Sequence, residues 1–344
     1  MYLCVPTPQG SDGRADLSYV EAAAREISTY LEPGAIVVNK STVPVGTTVL
    51  VEQALGRDDV HVVSNPEFLR EGSAVGDFLN PDRVVIGARS REAAERVAEL
   101  YANVEAPILI TDAASAEACK YAANAFLATK ISFANAVAAV CEATGADVSD
   151  VLEGIGQDAR IGRHFLKPGP GWGGSCFPKD TKAMIAIAED AGYDFALLQS
   201  VIDVNEQQFE RVTGKIRESA GGSLDGVRVA ILGLAFKAGT DDMRDSPAVE
   251  IAQRLVAEGA VVRAFDPIAQ DCGVEGVEEC DDAYTAADGA EVVALLTEWG
   301  EFKTLDLGEL AGVVASKNIV DARNILDGEA VLRSGFNYQG IGRS

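Results

Sequence analysis

Positive charge is scarce in this sequence. Lys and Arg together number 29 against 53 Asp and Glu in 344 residues, a formal net charge of −24 at neutral pH. Proteins that bind duplexes or anionic bilayers need a basic footprint, so no nucleic acid and no membrane is expected as a partner. Histidine is rarer still. His61 falls in strand-like text and His164 in loop-like text, a pair that builds neither a triad nor a metal cluster, and no metal is expected. The six cysteines (Cys4, Cys119, Cys141, Cys176, Cys272 and Cys280) form no C-x-x-C pair and no zinc spacing, which reads as reduced thiols. No apolar run approaches the ~18 residues of a membrane helix. The opening Met1-Tyr2-Leu3-Cys4-Val5-Pro6 lacks the charged lead and apolar stretch of a signal peptide. A cytoplasmic location is the expectation. The acid is dispersed rather than gathered in a tail, and the surface is rich in carboxylate but poor in Lys. That composition fits a halophilic protein whose self-repulsion is screened by salt; an ordinary acidic cytosolic enzyme is the alternative.

Apolar residues make up 47% and charged residues 24%, enough for a real core, and the length suits two or three domains. Short apolar runs at 2–5, 35–39, 61–64, 84–87 and 108–110 alternate with helical patterns at about 17–31, 46–54 and 91–101. Such alternation implies a parallel, doubly wound sheet. From 115 to about 144 the pattern is wholly helical, Ala-rich and free of Pro and Gly, and it stops at Gly145 as a glycine-terminated helix should. Further helical text covers about 148–155, 181–191 and 197–219. A Gly-rich turn at 221–226 then leads into a second strand–helix series, with strands at 227–233, 261–266, 291–296 and 318–321 and a helix at 248–258. The expected boundaries are 1–112 for a first α/β domain, 113–220 for a central helical domain and 221–344 for a second α/β domain.

The densest chemistry lies in Gly169-Pro170-Gly171-Trp172-Gly173-Gly174-Ser175-Cys176-Phe177-Pro178-Lys179-Asp180. Four glycines in six positions let backbone amides approach an anionic ligand. A Cys where that loop enters a helix, beside Lys179, sits where thiolate is favoured; a flexible loop around a buried Cys is the bland alternative. On the long helix Lys120 and Asn124 are spaced i, i+4 and share a face. A Lys among alanines and aromatics suits base chemistry if partly buried, and is otherwise a solvated side chain. Asn65-Pro66-Glu67-Phe68-Leu69-Arg70-Glu71-Gly72 and Asn39-Lys40-Ser41-Thr42-Val43-Pro44 both follow strand ends, where doubly wound folds place ligands. There Glu67 and Thr42 either orient a water or serve as cap and turn residues. Gly233-Leu234-Ala235-Phe236-Lys237 follows a strand and precedes a helix, as a phosphate-binding turn does, but is not G-x-G-x-x-G.

In order and spacing these segments, together with Val5-Pro6-Thr7-Pro8, Arg160-Ile161-Gly162, Phe165-Leu166-Lys167 and Asp321-Ala322-Arg323, resemble the UDP-glucose/GDP-mannose dehydrogenase family along almost the whole chain. The loop 171–180 after Arg160-Ile161-Gly162 is most similar to the UDP-glucose branch. The resemblance implies an α/β fold of two Rossmann-like parallel-sheet domains joined by a long central helix. It also implies NAD as cofactor, UDP-glucose as substrate and a homodimer built on the long helix. The implied reaction is a four-electron oxidation of a sugar C6 alcohol to a carboxylate through a thiohemiacetal and thioester on Cys176.

By motif position, Lys120, Asp180, Asn124, Glu67 and Thr42 are the other catalytic candidates. Glu67, Phe68, Leu69, Arg70, Lys120, Asn124, Phe165, Lys167, Gly171, Trp172, Gly173, Phe236, Lys237 and Arg323 would hold the nucleotide-sugar, with Arg160 reaching the neighbouring subunit's substrate. Thr7, Ser41, Thr42, Glu71, Cys176 and Arg244 would touch NAD. Relatives carry roughly 70–80 residues before the position of Met1, including the glycine-rich NAD turn, about two strand–helix–strand units. The first domain is therefore expected to be N-terminally incomplete. Two alternatives stand beside this reading: a nucleotide-sugar-binding chain without catalysis, and a dehydrogenase for GDP-mannose or a UDP-N-acetylhexosamine.

Overall fold

The computed structural model describes residues 1–10 and 13–343. The chain divides into two compact units, Met1–Phe126 with Lys179–Ala196, and Leu127–Pro178 with Leu197–Ser344.

The first unit is built on five strands, β1 (Tyr2–Leu3), β2 (Ile36–Asn39), β3 (His61–Ser64), β4 (Val84–Ala88) and β5 (Ile108–Thr111), in spatial order β1-β2-β3-β4-β5. Successive side chains in a strand point to opposite faces; both faces of the inner strands are covered, while the edge strand β5 leaves Ile108 and Leu109 exposed. Val37 and Val62 pack with Val20, Ala24, Val51 and Leu55 from the helices Ser18–Ile27 and Thr47–Leu55. Val38 and Val63 pack with Ala93, Ala94 and Val97 from the helix Arg91–Glu99. This explains why the strands read as unbroken apolar runs.

One join departs from the expected parallel sheet. β3 and β4 are antiparallel, pairing Val63 with Ala88 and Ser64 with Gly87. The chain does not cross the sheet between them, because 65–83 turns back at the end of β3 through the short helix Ala74–Leu79. Asn65 fastens that return, donating from Nδ2 to Val85 O at 2.8 Å and accepting from the Tyr101 hydroxyl at 2.5 Å. β1 forms one edge of the sheet, bonded to β2 through Lys40 N to Leu3 O at 2.9 Å.

The second unit carries β6 (Arg228–Leu232), β7 (Val261–Phe265), β8 (Val277–Glu279), β9 (Val292–Leu295), β10 (Asn318–Asp321) and β11 (Asn337–Gly340). All joins are parallel and the order is β11-β10-β9-β6-β7-β8. Counted from β6 as the first strand, this is the doubly wound order 3-2-1-4-5-6, with its switch point between β6 and β9. One face buries Val229, Ile231, Val262 and Val292 against Phe209, Val212, Ile216, Ile251 and Leu255. The other buries Ala230, Leu232, Val293 and Leu295 against Phe302, Leu310 and Val331.

The turn after β6 departs from expectation. No helix follows Lys237 directly; it begins only at Pro247, where Ser246 caps it by accepting from Ala248 N while donating to Leu234 O at 2.6 Å.

A helix of 32 residues, Ala113–Thr144, runs from the first unit into the second. By length and composition it would cross a bilayer, which qualifies the expectation that no segment approaches a span. It nonetheless buries Glu117, Lys120, Asn124, Ser132 and Asn135. Five buried polar side chains on one helix need protein partners, and a lipid face offers none.

Candidate active site

In the first unit the long helix presents Lys120 and Asn124 one turn apart, 3% and 6% exposed. Lys120 Nζ lies 3.1 Å from Glu67 Oε1, and the other Glu67 oxygen accepts from Leu69 N at 2.5 Å, fixing the loop after β3. Phe68 stands in the same group: its ring centroid is 5.4 Å from Lys120 Nζ and 3.7 Å from the Arg83 guanidinium carbon. Asn124 Nδ2 donates to Asp180 Oδ2 at 2.6 Å, and Lys179 Nζ donates to Asp180 Oδ1 at 2.6 Å. The buried carboxylate of Asp180 is thus paired and hydrogen-bonded, as burial of charge requires.

At the ends of β1 and β2, Ser41 Oγ donates to Val5 O at 2.7 Å and accepts from Val5 N at 3.0 Å, while Thr7 Oγ1 donates to Thr42 O at 2.9 Å. Burial pushes the Lys40 ammonium down to about 8, with Lys120 pushing the same way and Glu67 and Cys4 opposing. Glu117, one turn before Lys120, accepts from Gly46 N, Thr48 N and Thr48 Oγ1 at 2.7, 2.8 and 2.7 Å, so it holds the turn after Thr42 to the helix that carries Lys120. Arg70, a substrate candidate, is paired with Asp77, through Nε and NH2 at 3.0 and 2.6 Å. Glu71 is half-buried in the same loop.

The NAD candidates Thr7, Ser41 and Thr42 lie at the carboxyl ends of parallel strands, the side on which such sheets bind ligands; with the Thr7 and Ser41 protons given to Thr42 O and Val5 O, these two hydroxyls offer a dinucleotide acceptor lone pairs. Asn39, the last residue of β2, is fully buried, and among the described residues neither of its amide atoms has a hydrogen-bond partner. That leaves polar capacity for a ligand at this rim.

In the second unit the glycine-rich loop is clamped, not flexible. Asn135 Oδ1 accepts from Gly169 N at 2.8 Å and Gln208 Nε2 donates to Gly169 O at 2.7 Å. Asn205 makes a two-way pair with the Trp172 main chain, at 2.8 and 2.9 Å, and Trp172 Nε1 donates to Ser132 Oγ at 2.9 Å. Three glycines here are required by close approach, the first being Gly171, φ +129°, on which a Cβ would lie 2.6 Å from the Phe209 ring. A Cβ on Gly173 would overlap Asp245 O, and one on Gly174, whose φ is +80°, would lie 2.8 Å from the Phe236 ring. The loop therefore packs directly on Phe236 after β6.

Arg323, after β10, is held in the same region. Its Nε and NH2 donate to Leu296 O and Phe236 O at 2.8 and 2.9 Å, and Glu298 lies 3.1 Å from Nε. Gly171, Trp172, Gly173, Phe236 and Arg323 are thus brought together at the switch point, the position at which doubly wound sheets bind nucleotides; Lys237 Nζ lies 5.4 Å from the Phe236 ring centroid. The Arg244 carbonyl accepts from Gly174 N at 3.1 Å, and its guanidinium is paired with Asp242. Phe165 adopts φ +63°, a left-handed backbone uncommon for a bulky residue, and its ring meets Phe177 edge-on at 6.3 Å. Lys167 and Arg160 are exposed, and Arg160 pairs with Asp158.

Asp266 at the end of β7 shows what a strand-end acid does here. It accepts from Leu234 N, Ala235 N, Ile268 N, Ala269 N and Trp299 Nε1, so its capacity goes to shaping the loops.

Cys176 immediately precedes the helix Phe177–Asp190, with Sγ 3.6 Å from Ser175 Oγ. That helix begins four residues earlier than expected because Pro178 falls in its first turn, where a missing N–H costs nothing. Asp180 therefore lies in the first turn after Cys176. Sequence reasoning assigned no role to Lys40, Glu117 or Arg83. Lys40 lies inside a motif it singled out, whereas Glu117 and Arg83 carry no local signal.

Residues 1–105 match the NAD binding domain of the UDP-glucose/GDP-mannose dehydrogenase family, residues 114–207 its central domain and residues 230–328 its UDP binding domain. The chain is 47% identical over 352 residues to UDP-glucose 6-dehydrogenase TuaD of Bacillus subtilis (strain 168), covering 100% of this chain and 76% of that protein. It is 46% identical over 357 residues to UDP-glucose 6-dehydrogenase of Rhizobium meliloti (strain 1021), covering 100% and 82%. Among solved structures, a UDP-glucose dehydrogenase from the hyperthermophilic archaeon Pyrobaculum islandicum matches with a TM-score of 0.90 at 41% identity, over 100% of this chain and 79% of that one. The UDP-D-ManNAc dehydrogenase of Pyrococcus horikoshii matches at 0.88 and 31%, over 99% and 80%. The NAD binding domain match begins at residue 1, so it lends no support to the expectation that this domain lacks its N-terminal part. With relatives above 40% identity over its full length and three matched domains in the family's order, the chain belongs to the UDP-glucose/GDP-mannose dehydrogenase family.

Proposed function

We propose that this chain oxidises UDP-glucose to UDP-glucuronate with NAD as hydride acceptor. One observation carries the reading. The match to UDP-glucose 6-dehydrogenases spans the entire chain at 47% identity, and it includes a cysteine at a helix N-terminus with a buried, paired aspartate in the next turn. NAD, when bound, takes up a hydride in each of two oxidations; Thr7, Ser41, Thr42 and Glu71 of the first unit would hold it, and Cys176 and Arg244 are the remaining cofactor candidates by motif position.

The chain's own residues manage the rest. The C6 hydroxyl loses its proton to a base of the Lys120–Glu67 pair as its hydride departs, leaving an aldehyde. The Cys176 sulfur, as thiolate, adds to the aldehyde carbon, and the resulting oxyanion is stabilised by the donors of Lys120 and Asn124. Loss of the second hydride restores the carbonyl as a thioester. Water then adds, oriented by Glu67 and Thr42 and giving a proton to the Asp180 carboxylate; the C–S bond breaks, sulfur leaves as thiolate, and the acid loses its remaining proton to solvent to give the carboxylate. Covalent capture keeps the half-oxidised sugar from escaping. Uridine diphosphate falls to the switch-point group of the second unit, Phe165, Lys167, Gly171, Trp172, Gly173, Phe236, Lys237 and Arg323, while Phe68, Leu69 and Arg70 belong to the loop on the sugar. Incubation with UDP-glucose and NAD should yield uronate and reduced cofactor, and Cys176→Ser should abolish uronate formation. Uronate turnover surviving in that variant would rule out the covalent route. A panel with GDP-mannose and UDP-N-acetylhexosamines decides the sugar.

Three finer readings accompany this. The domain boundaries are 1–112, 113–220 and 221–344, supported by family matches over 1–105, 114–207 and 230–328. The chain is a homodimer through its long helix, on which Ala122, Phe126, Thr129, Phe133, Ala136, Val140 and Ala143 recur at alternating spacings of three and four. Such a seam suits a partner helix, and Phe126, Phe133 and Val140 are 64%, 52% and 61% exposed along it. Across that dimer Arg160 would reach the partner's substrate. Phe133→Glu should yield a monomer in sedimentation equilibrium, and an unchanged mass would remove the seam from consideration. Finally, the enzyme is cytoplasmic, a reading supported by its six unpaired cysteines, and halophilic, a reading supported by its −24 charge.

A further inference from the structure

Where β2 and β3 end, one lysine pairs with the Glu67 carboxylate and a second bonds the carbonyl next to it in the chain. Lys40 follows the last residue of β2 and its main chain is fixed by the bond to Leu3 O. Its half-buried side chain donates from Nζ to Pro66 O at 3.4 Å. Pro66 precedes Glu67 directly, so that bond fixes the main chain from which Glu67 projects toward Lys120. Three titratable groups act electrostatically on the Lys40 ammonium: Glu67 after β3, Cys4 after β1 and Lys120 on the long helix. A surface lysine titrates near ~10.4; with its value at about 8, Lys40 changes charge in the weakly alkaline range.

We propose that Lys40 is a positioning residue for the Glu67–Lys120 pair, acting through its bond to the Pro66 carbonyl, which sets the main chain that carries Glu67, and through its own charge. The proposal rests on the dehydrogenase reading given above. When Lys40 is charged, Glu67 divides its field between two cations; when Lys40 is neutral, Glu67 serves Lys120 alone. The rate of the chemical step therefore follows the state of Lys40. Binding of the uridine diphosphate, held by residues of the second unit, does not.

The test compares the full-length wild type with Lys40→Arg and Lys40→Met, measuring kcat and KM for UDP-glucose across the neutral and alkaline range. Wild-type kcat should inflect at about pH 8. Lys40→Arg, whose charge is permanent, should lack the inflection and keep kcat within about threefold, whereas Lys40→Met should lack it and lose about tenfold, both with KM within about twofold. An inflection persisting in Lys40→Arg would overturn the proposal, since a merely structural lysine predicts that result.

A second arm needs no turnover. In protein carrying 13C-labelled lysine, the resonance missing from Lys40→Arg should titrate at about pH 8 and move lower in Glu67→Gln, which removes the attraction that opposes burial. Titration of that resonance above about pH 10, the ordinary lysine range, or indifference to Glu67→Gln, would overturn the proposal. Wild-type protein that forms no uronate would instead overturn the dehydrogenase reading, leaving the spectroscopic arm to decide the coupling.

Discussion

Asn124 donates its side-chain amide to the carboxylate of Asp180 at 2.6 Å, joining the long helix to the first turn of the helix that follows Cys176. Asp180 is 1% exposed, with Lys179 Nζ at 2.6 Å on its other oxygen. A carboxylate so placed is held in one orientation by one neutral and one charged donor, and a fixed orientation is what aiming a water requires.

Removing the neutral donor therefore tests the arrangement. Asn124→Ala should cost about 1–3 kcal/mol of folding stability, since it leaves a buried acceptor short of a partner. It should also lower kcat by about 10²-fold or more, the scale of a lost oxyanion donor. Chemical denaturation and steady-state kinetics check the two effects separately. A variant with wild-type kcat would exclude Asn124 from the reacting group.

The glycine loop makes a paired prediction. A Cβ on Gly173 would overlap Asp245 O, so Gly173→Ala should destabilise the protein by about 3 kcal/mol and abolish measurable UDP-glucose binding by calorimetry. The control is Gly154, inside the helix Val148–Gly156 with nothing within 4 Å of an added Cβ. There Ala should stabilise by about 0.5–1 kcal/mol and leave binding intact. Equal effects at the two sites would mean that the close approach at 173 is not a constraint.

Glu117 yields a pH dependence. Burial raises its carboxyl above the ordinary 4.5, although bonds from Thr48 and Gly46 pull the other way. The native state then holds this proton more tightly than the unfolded chain does. The resulting stabilisation is complete below the unfolded value and is lost as pH rises through the native one. Glu117→Gln cannot titrate, so the stability of wild type relative to this variant should decline as pH rises above 4.5. Urea unfolding at several pH values measures it, and a wild-type advantage that grows with pH would reverse the sign.

Net charge sets the salt response. At −24 the chain repels itself, and salt screens exposed charge over about 10 Å at 0.1 M and about 3 Å at 1 M. Both Tm and kcat should rise from about 0.1 to about 1 M KCl. A maximum at low ionic strength would end the halophile reading.

Much of the fold was legible along the chain. The stop at Gly145, φ +75°, marks the end of the long helix because a left-handed residue ends a helix where other residues resist. Apolar stretches such as Ile36-Val37-Val38 and Val62-Val63 announced strands buried on both faces. Strands β8 and β11 escaped notice, since Val277-Glu278-Glu279 and Asn337-Tyr338-Gln339-Gly340 carry little apolar character and lie at the edges of the sheet. The grouping of Lys120, Glu67 and Phe68 was visible only as separate motifs.

What the order of residues determined by itself was local: where elements start and stop, which faces are apolar, and which short segments bear chemistry. Those properties depend on neighbours within a few positions, through periodicity, caps and turns. Only the tertiary structure decided that β4 runs against β3, that Asp266 spends its carboxylate on five donors of the fold, that Arg323 ties the Leu296 and Phe236 carbonyls together, and that Lys40 reaches the Pro66 carbonyl. Each depends on groups far apart in the chain whose desolvation and pairing are settled when the strands pack.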